Sequence, residues 1–306
     1  MNFSRKNSLN PNLSVFLSTI FWGTFWIPVR AIENLTDSDY ASCIGFFLAF
    51  LMSMIFMIKK SVLPKRMDLY NVIAAVCTAI AIALYTQGIL YTSVANAVLL
   101  FYLSPVWGIF LGKLISHISF TPNRLIAVLM GLIGLSLILE WNTVSFEGMS
   151  GNIMCLCSGF LFAFAVTLYN KGLEIDVWPK MCLIFLVIGL IILFFGLVSQ
   201  ETNYVLIDSI DWSTIYWLVL FSTIWLVVPM WLLIYAVHKL DAVKLAIGMM
   251  FEVIVSLLSG VLVANEYISV RQLTGAILVV GASLADSFDF SQVKLGFRYF
   301  NKRPKD

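Results

Sequence analysis

The sequence predicts an all-α membrane protein: ten transmembrane helices arranged as two inverted five-helix repeats, with both termini cytoplasmic. Three observations point there. Of the 306 residues, 60% are hydrophobic and 12% charged, whereas a soluble chain carries about 25% charged residues. Apolar stretches of roughly 20 residues, the length needed to cross a bilayer core of about 30 Å, recur along the chain. The basic residues crowd into alternate connectors. Mean hydropathy is +0.94. A net charge of +2 amid so much apolar sequence excludes disorder and gives no sign of nucleic-acid binding. The cysteines Cys43, Cys77, Cys155, Cys157 and Cys182 lie in apolar runs, which excludes a disulfide-stapled secreted domain.

The expected spans are 13–30, 41–58, 70–91, 94–116, 123–139, 150–170, 181–199, 213–236, 242–264 and 270–286. The first follows Arg5 and Lys6, as a signal peptide would. Pro28-Val-Arg30 follows it, however, with no small-x-small cleavage site, so it reads as a retained helix. The second span stops at Lys59-Lys60, and the third begins beyond Lys65-Arg66. The fourth runs to His117, and the fifth lies between Arg124 and Glu140. The sixth stops at Lys171, the seventh starts after Lys180, and the eighth lies between Asp211 and Lys239. The ninth carries Lys244 and Glu252, and the tenth starts near Arg271. The connectors leave no room for a nucleotide-binding domain, and no GxxxxGK[ST] run occurs.

Ten spans place both ends of the chain on one side. All Lys and Arg residues except Arg30 and Arg271 then fall on that side, which the positive-inside rule makes cytoplasmic. The acids Glu33, Asp37, Asp39, Glu140, Glu147, Asp208 and Asp211 fall on the other. The chain accordingly divides into a cytoplasmic segment 1–12, a first repeat 13–147, a second repeat 148–286 and a basic cytoplasmic tail 287–306. In that tail Phe290, Val293, Phe297 and Phe300 share a helical face, which reads as a helix lying on the inner leaflet or as a frayed basic end.

A shift of 148 residues lays helices 4–5 over helices 9–10. Asn96 meets Lys244, Ser104 meets Glu252, Gly112 meets Gly260 and Ala127 meets Gly275. Gly108-x-x-x-Gly112 meets Ser256-x-x-x-Gly260, a small-xxx-small pair suited to close helix approach. Repeats of five spans insert upside down relative to each other. Such a pair can rock about a midplane site, as secondary transporters do.

Particular residues carry a family resemblance. Phe21-Trp22-Gly23-Thr24-Phe25-Trp26, the run Leu90–Leu100, and Leu103-Ser-Pro-Val106 resemble segments of the EamA-like transporters of the drug/metabolite transporter superfamily. Phe251-Glu252-Val253, Ala264-Asn-Glu266 and Leu273–Gly281 resemble segments of the family's second half. Two departures stand out: Val253 replaces the proline expected after Glu252, and Lys113 and His117 stand where an acid would end helix 4. The resemblance implies a multi-pass cell-membrane protein, here a bacterial inner membrane. It implies transport of amino acids, their derivatives, nucleotide-related compounds or drugs.

Glu252 is the sharpest candidate. It lies ten residues into the ninth span, hence about 15 Å deep at 1.5 Å per residue. A membrane acid normally faces a cavity or a partner. It suits a counter-charge for a substrate amine or a proton carrier for coupling; the bland reading is a protonated carboxyl bonding the backbone. Lys244, two turns away, meets a substrate carboxylate or merely snorkels. Asn96 bonds a polar group or packs. Tyr85, Gln87, Tyr102, Trp22, Trp107 and Trp225 are the substrate-binding aromatics and amide nearest the centre, where rings stack or hold an ammonium. Pro28, Pro105 and Pro229 are hinge candidates or static kinks. Arg30 is an outer-gate candidate or a solvated helix end, and Asn34-Leu-Thr36 is a sequon that matters only in a eukaryotic secretory route.

No catalytic set appears and no cofactor is expected. His117 and His238 sit apart from any acid or cysteine cluster with metal spacing, and Cys155 and Cys157 lie about 200° apart on a helix. The expectation is a secondary-active transporter of small polar metabolites, preferably amino acids or related amines, working by alternating access as an exporter. Its partners are a small-molecule substrate and membrane lipids, with protons for coupling, and it acts as monomer or homodimer. A transporter or flippase for lipids or choline-like headgroups is the alternative. A channel or a sensor subunit ranks below both, for want of a polar stripe or a signalling domain.

Overall fold

The computed structural model describes residues 9–25, 27–28, 31–32, 41–59, 67–92, 97, 100–116, 122–138, 149–198, 211–264 and 268–287. Those residues are helical, without strands. The elements are α1 Pro11–Gly23, α2 Ala41–Lys59, α3 Leu69–Tyr91, α4 Ser104–Ser116, α5 Pro122–Ile138, α6 Met149–Lys171, α7 Val177–Val198 and α8 Trp212–Leu220. A π-helical segment Phe221–Val227 joins α8 to α9 Val228–Val237, followed by α10 Ala242–Met249, α11 Phe251–Ala264 and α12 Val270–Ser287.

Apolar residues occur all round these helices, as expected where each touches both protein and lipid. Their starts are set by capping. Asp211 accepts from Thr214 N at 2.8 Å and Asp241 from Lys244 N at 3.1 Å. Ser269 and Gln272 form a capping box before α12: Ser269 N donates to Gln272 Oε1 at 2.8 Å, and Gln272 N to Ser269 Oγ at 3.2 Å. Among the described residues, Leu69–Gly88, Met149–Lys171, Val177–Phe195, Trp212–Val237 and Ala242–Val263 are long and apolar enough to cross a bilayer. Cys43–Lys59, Ser104–Ile115, Pro122–Ile138 and Val270–Ala282 are shorter apolar helices.

Several neighbouring rods run antiparallel, whereas α1 runs parallel to α10–α11, with Val15 at Gly248, Phe16 at Phe251 and Gly23 at Val255. On α3 and α6, Ser158 Oγ donates to Ala81 O at 2.6 Å and Asn71 Nδ2 to Leu173 O at 2.9 Å, so numbers rise on one helix as they fall on the other. The α1–α9 pair behaves alike, with Ser14 Oγ donating to Leu232 O at 2.7 Å and Tyr235 Oη to Leu9 O at 3.0 Å. At the α5–α12 crossing two glycines allow the backbones to touch. A Cβ on Gly134 would lie 2.7 Å from Gly275 O, and one on Gly275 2.5 Å from Gly134 O. This seam treats the halves as equivalents. A Cβ on Gly131 would lie 3.6 Å from that of Ala282, and the same 148-residue shift turns that pair into Val279 and Gly134, where an added Cβ would lie 2.9 Å from Val279 Cγ2.

Several rods end or break short of the expected spans. α1 stops at Gly23 and α4 starts only at Ser104. The ninth span is divided at Met250, and the eighth carries the π segment. Pro229 explains the last. It has no N–H and its ring crowds the carbonyl four residues back, so the turn before it widens; Val228 N accordingly donates to Thr223 O, five residues away. Pro105 sits in the first turn of α4, where it interrupts no helical hydrogen bond. Pro28 lies beyond the end of α1.

Candidate functional site

The helix interruptions converge on Glu252. Between α10 and α11, Val253 N donates to Met250 O at 3.2 Å rather than to Met249 O, as α-helical geometry would require. The Met249 carbonyl is thereby released. The Tyr102 hydroxyl lies 2.9 Å from it and 3.0 Å from Glu252 Oε2, so its single proton goes to one of the two, and it can serve the carbonyl when the acid is protonated and donates to the phenol oxygen. Tyr102 is 1% exposed and occupies the turn that precedes α4. Irregular backbone inside a membrane protein persists only where other groups satisfy it, and Tyr102 does so here. Glu252 is the second residue of α11, at the positive end of that helix dipole.

On the opposite side α1 comes against Glu252. A Cβ at Gly23 would lie 2.6 Å from both Glu252 O and Val255 Cβ. This explains the Trp-Gly pair in chemical terms: Gly23 lets α1 approach α11, and Trp22 packs beside it against Phe25, with ring centroids 5.5 Å apart. Just past α1, Thr24 Oγ1 accepts from Trp225 Nε1 at 3.1 Å, tying the end of α1 to the π segment. Tyr85 joins from α3: its ring lies 4.9 Å from Phe101, which meets Tyr102 edge-on at 5.2 Å.

The structure thus brings Glu252, Tyr102, Tyr85, Trp22 and Trp225 into one connected set. Trp107 packs edge-on against Phe160 at 5.5 Å, and Gln87 is buried on α3. Among the described residues, the buried Nε1 atoms of Trp22 and Trp107 and the Oγ of Ser104 have no hydrogen-bond partner. Lys244 is not brought to Glu252. It sits in the first turn of α10, across the break at Met250, and forms no ion pair among the described residues. Asn96, Arg30, His117, Asn34 and the tail 288–306 lie outside the described residues. Of the two neighbouring cysteines, Cys155 is buried, its Sγ 2.5 Å from where a Gly88 Cβ would stand, whereas Cys157 is exposed rather than packed. No group of three metal-binding side chains occurs among the described residues.

Two polar clusters were not visible in the sequence. Arg124 on α5 pairs with Asp241, the N-cap of α10, at 2.5 Å. Lys180 Nζ approaches His238 Nε2 at 2.5 Å. Lys180 looked like a loop charge, because the apolar run begins at Met181. The helix instead starts at Val177 and carries Lys180 inside, at 0% exposure. Burial, with the Lys180 charge beside it, lowers the His238 pKa to about 4.

The sequence model of the EamA-like transporter family matches residues 10–140 and 149–285. The chain belongs to that family. It is 22% identical over 299 residues to the "Uncharacterized transporter YoaV" of Bacillus subtilis (strain 168), an alignment covering 92% of this chain and 98% of that protein. A solved crystal structure superimposes with a TM-score of 0.76 at 12% identity, covering 90% of this chain and 96% of the other, and shares the fold. The protein is therefore a multi-pass membrane transporter and not an enzyme.

Proposed function

We propose that this transporter moves small polar metabolites carrying an amino group, amino acids or related amines, by alternating access and outward across a bacterial inner membrane. The ten-span arrangement with both termini cytoplasmic belongs to the same proposal, as does the division into repeats at 13–147 and 148–286. The observation that carries it is the Glu252–Tyr102–Met249 cluster, a carboxylate at a helix break with a phenol as its only hydrogen-bond partner among the described residues. Broken helices next to a carboxylate are how inverted-repeat transporters meet charged cargo.

Both protonation states of Glu252 fit the cluster. Ionised, the carboxylate accepts from Tyr102 and faces an ammonium. Neutral, its O–H donates to Tyr102 Oη, and Tyr102 donates to Met249 O. This interchange supports coupling through a proton that leaves when an amine arrives. The aromatic rings of Trp22, Tyr85 and Trp225 supply faces for the cation, and Gln87 and Trp107 supply polar atoms for the rest of the ligand.

The test is thermal stabilisation of the purified protein by amino acids, polyamines, choline-like amines and nucleotides, for wild type and Glu252→Gln. A ligand that binds the folded state raises Tm by mass action. Amines or amino acids should raise the wild-type Tm and leave Glu252→Gln unmoved. An equal shift in both proteins removes the Glu252 charge from recognition. A response to choline-like amines alone favours the headgroup-transport alternative, and one to nucleotides alone overturns the substrate class.

A further inference from the structure

A second polar site lies away from Glu252, at the end of the bundle that holds Lys59, Lys113, Arg124 and Lys171. Lys180 is fully buried in the first turn of α7. Its ammonium has a neutral imidazole as its close partner, His238 Nε2 at 2.5 Å, and the face of Tyr169 at 5.6 Å. With Lys180 carrying the proton, Nε2 of the neutral ring is the acceptor of this contact. Asp68, Glu174 and Asp176 act on the ammonium from a distance; among the described residues the ion pair within 4 Å is Arg124–Asp241 instead. A buried cation without an anion against it is costly.

Beside it opens a cavity of about 220 Å³. Lys180 and His238 form one part of its lining, Glu174 and Asp176 another, and the stacked rings of Trp231 and Tyr235, 5.7 Å apart, a third. Glu174 and Asp176 are exposed, at the rim. The interior therefore asks for an anion and the rim for a cation. A plain anion would be repelled on approach, and a plain cation would leave Lys180 uncompensated. Space of this size suits a headgroup-sized fragment rather than a drug-sized ligand. A Trp–Tyr pair at the end of a membrane helix is typical of the lipid–water boundary.

We propose that this cavity binds the headgroup of a zwitterionic phospholipid, its phosphate toward Lys180 and its ammonium between Glu174, Asp176 and the Trp231 ring, the face of Tyr235 being covered by Lys239 at 3.6 Å. The acyl chains remain outside, along the exposed apolar flanks of the bundle. The lipid is a resident ligand at the periphery and not the transported cargo, so the site stands apart from Glu252.

Native mass spectrometry of the delipidated full-length protein tests this, with phosphatidylethanolamine, phosphatidylglycerol and soluble phosphoethanolamine as probes. Wild type should bind phosphatidylethanolamine about tenfold more tightly than phosphatidylglycerol. Lys180→Met should lose at least that factor. Glu174→Gln with Asp176→Asn, the asparagine oxygen keeping the hydrogen bond that Trp178 N donates to Asp176 Oδ1 at 3.2 Å, should bring the two lipids to parity. Glu252→Gln should bind phosphatidylethanolamine as wild type does. Equal affinity for the two lipids in wild type, or a preference that survives in the rim double variant, overturns the proposal. Undiminished binding in Lys180→Met does the same. Phosphoethanolamine binding without phosphatidylethanolamine binding overturns the lipid as its source, and a change in Glu252→Gln overturns the separation of the two sites.

Discussion

At the scale of single residues, Tyr102 is where structure and function meet, because one hydroxyl lies within hydrogen-bond distance of both Met249 O and Glu252 and its one proton can serve either. Removing it with Tyr102→Phe keeps the ring against Phe101 but leaves Met249 O and Glu252 without their donor. Leaving buried acceptors unmade costs about 1–3 kcal/mol, so Tm should fall and amine-induced stabilisation should weaken by about tenfold in apparent affinity. Unchanged Tm and affinity would show that water or another group replaces the phenol at no cost. His238 gives a pH prediction. Its folded pKa of about 4 lies below the 6.5 of a free imidazole, so the unfolded chain binds the proton first as pH falls. The neutral-ring contribution is complete above about pH 6.5 and is lost progressively down to about pH 4. Wild type should therefore lose more Tm across that window than His238→Gln, whose amide oxygen still accepts from Lys180. Parallel curves would place the ring in water instead. Glu252 was legible in the sequence because an acid within an apolar run is conspicuous. Tyr102 was legible only as one aromatic among many, since its role depends on a carbonyl freed on another helix.

At the scale of elements, the informative features are the places where helices stop. α1 ends at Gly23, α4 begins at Ser104, the ninth span breaks at Met250, and the eighth widens before Pro229. Hydropathy located nearly every rod but none of these breaks, because Phe, Met, Leu and Val continue through them and periodicity is blind to a single redirected hydrogen bond. Only Pro229 announced its interruption in advance. Pro105 carried the same letter yet opens a helix, where a missing N–H is harmless. Gly23 was read as part of a signature, and its physical reason is the approach of α1 to the Glu252 carbonyl. A methyl group there meets backbone at 2.6 Å, which a side-chain rotation cannot relieve. Gly23→Ala should thus cost about 1–3 kcal/mol, the usual range for overpacking. It should also push α1 away from α11, and with it Trp22 and the Thr24–Trp225 bond. A fall in Tm together with loss of ligand-induced stabilisation is the expected result. Full ligand response in a destabilised variant would assign Gly23 to packing alone.

At the scale of the whole molecule, the two stretches that match the family meet along α5–α12 and are joined at one end by the Arg124–Asp241 ion pair. Under the alternating access proposed above, one end of the inter-half path opens while the other closes, so contacts that join the halves at an end would set which state is populated. Arg124 belongs to the first half and Asp241 to the second, and the pair is only partly exposed, 17% and 19% at the side chains. Asp241 has a second duty, accepting from Lys244 N as the cap of α10. The two duties separate by substitution. Asp241→Asn removes the charge but keeps a good cap, and Arg124→Ala removes the guanidinium while leaving the cap intact. If the pair matters as an inter-half clamp, these two variants should behave alike, each opening this end and raising the labelling of a cysteine placed at Val243, on the first turn of α10. Asp241→Ala should cost about 1 kcal/mol more in stability, the usual worth of a cap. The swapped pair, Arg124→Asp with Asp241→Arg, should return labelling toward wild type while the cap stays weakened. Labelling that rises in the single variants and falls in the swap identifies electrostatics between halves as the restraint. Labelling unmoved by Arg124→Ala leaves the close approach of Gly108 to Ala242, where an added Cβ would lie 3.1 Å from that of Ala242, as what holds this end shut.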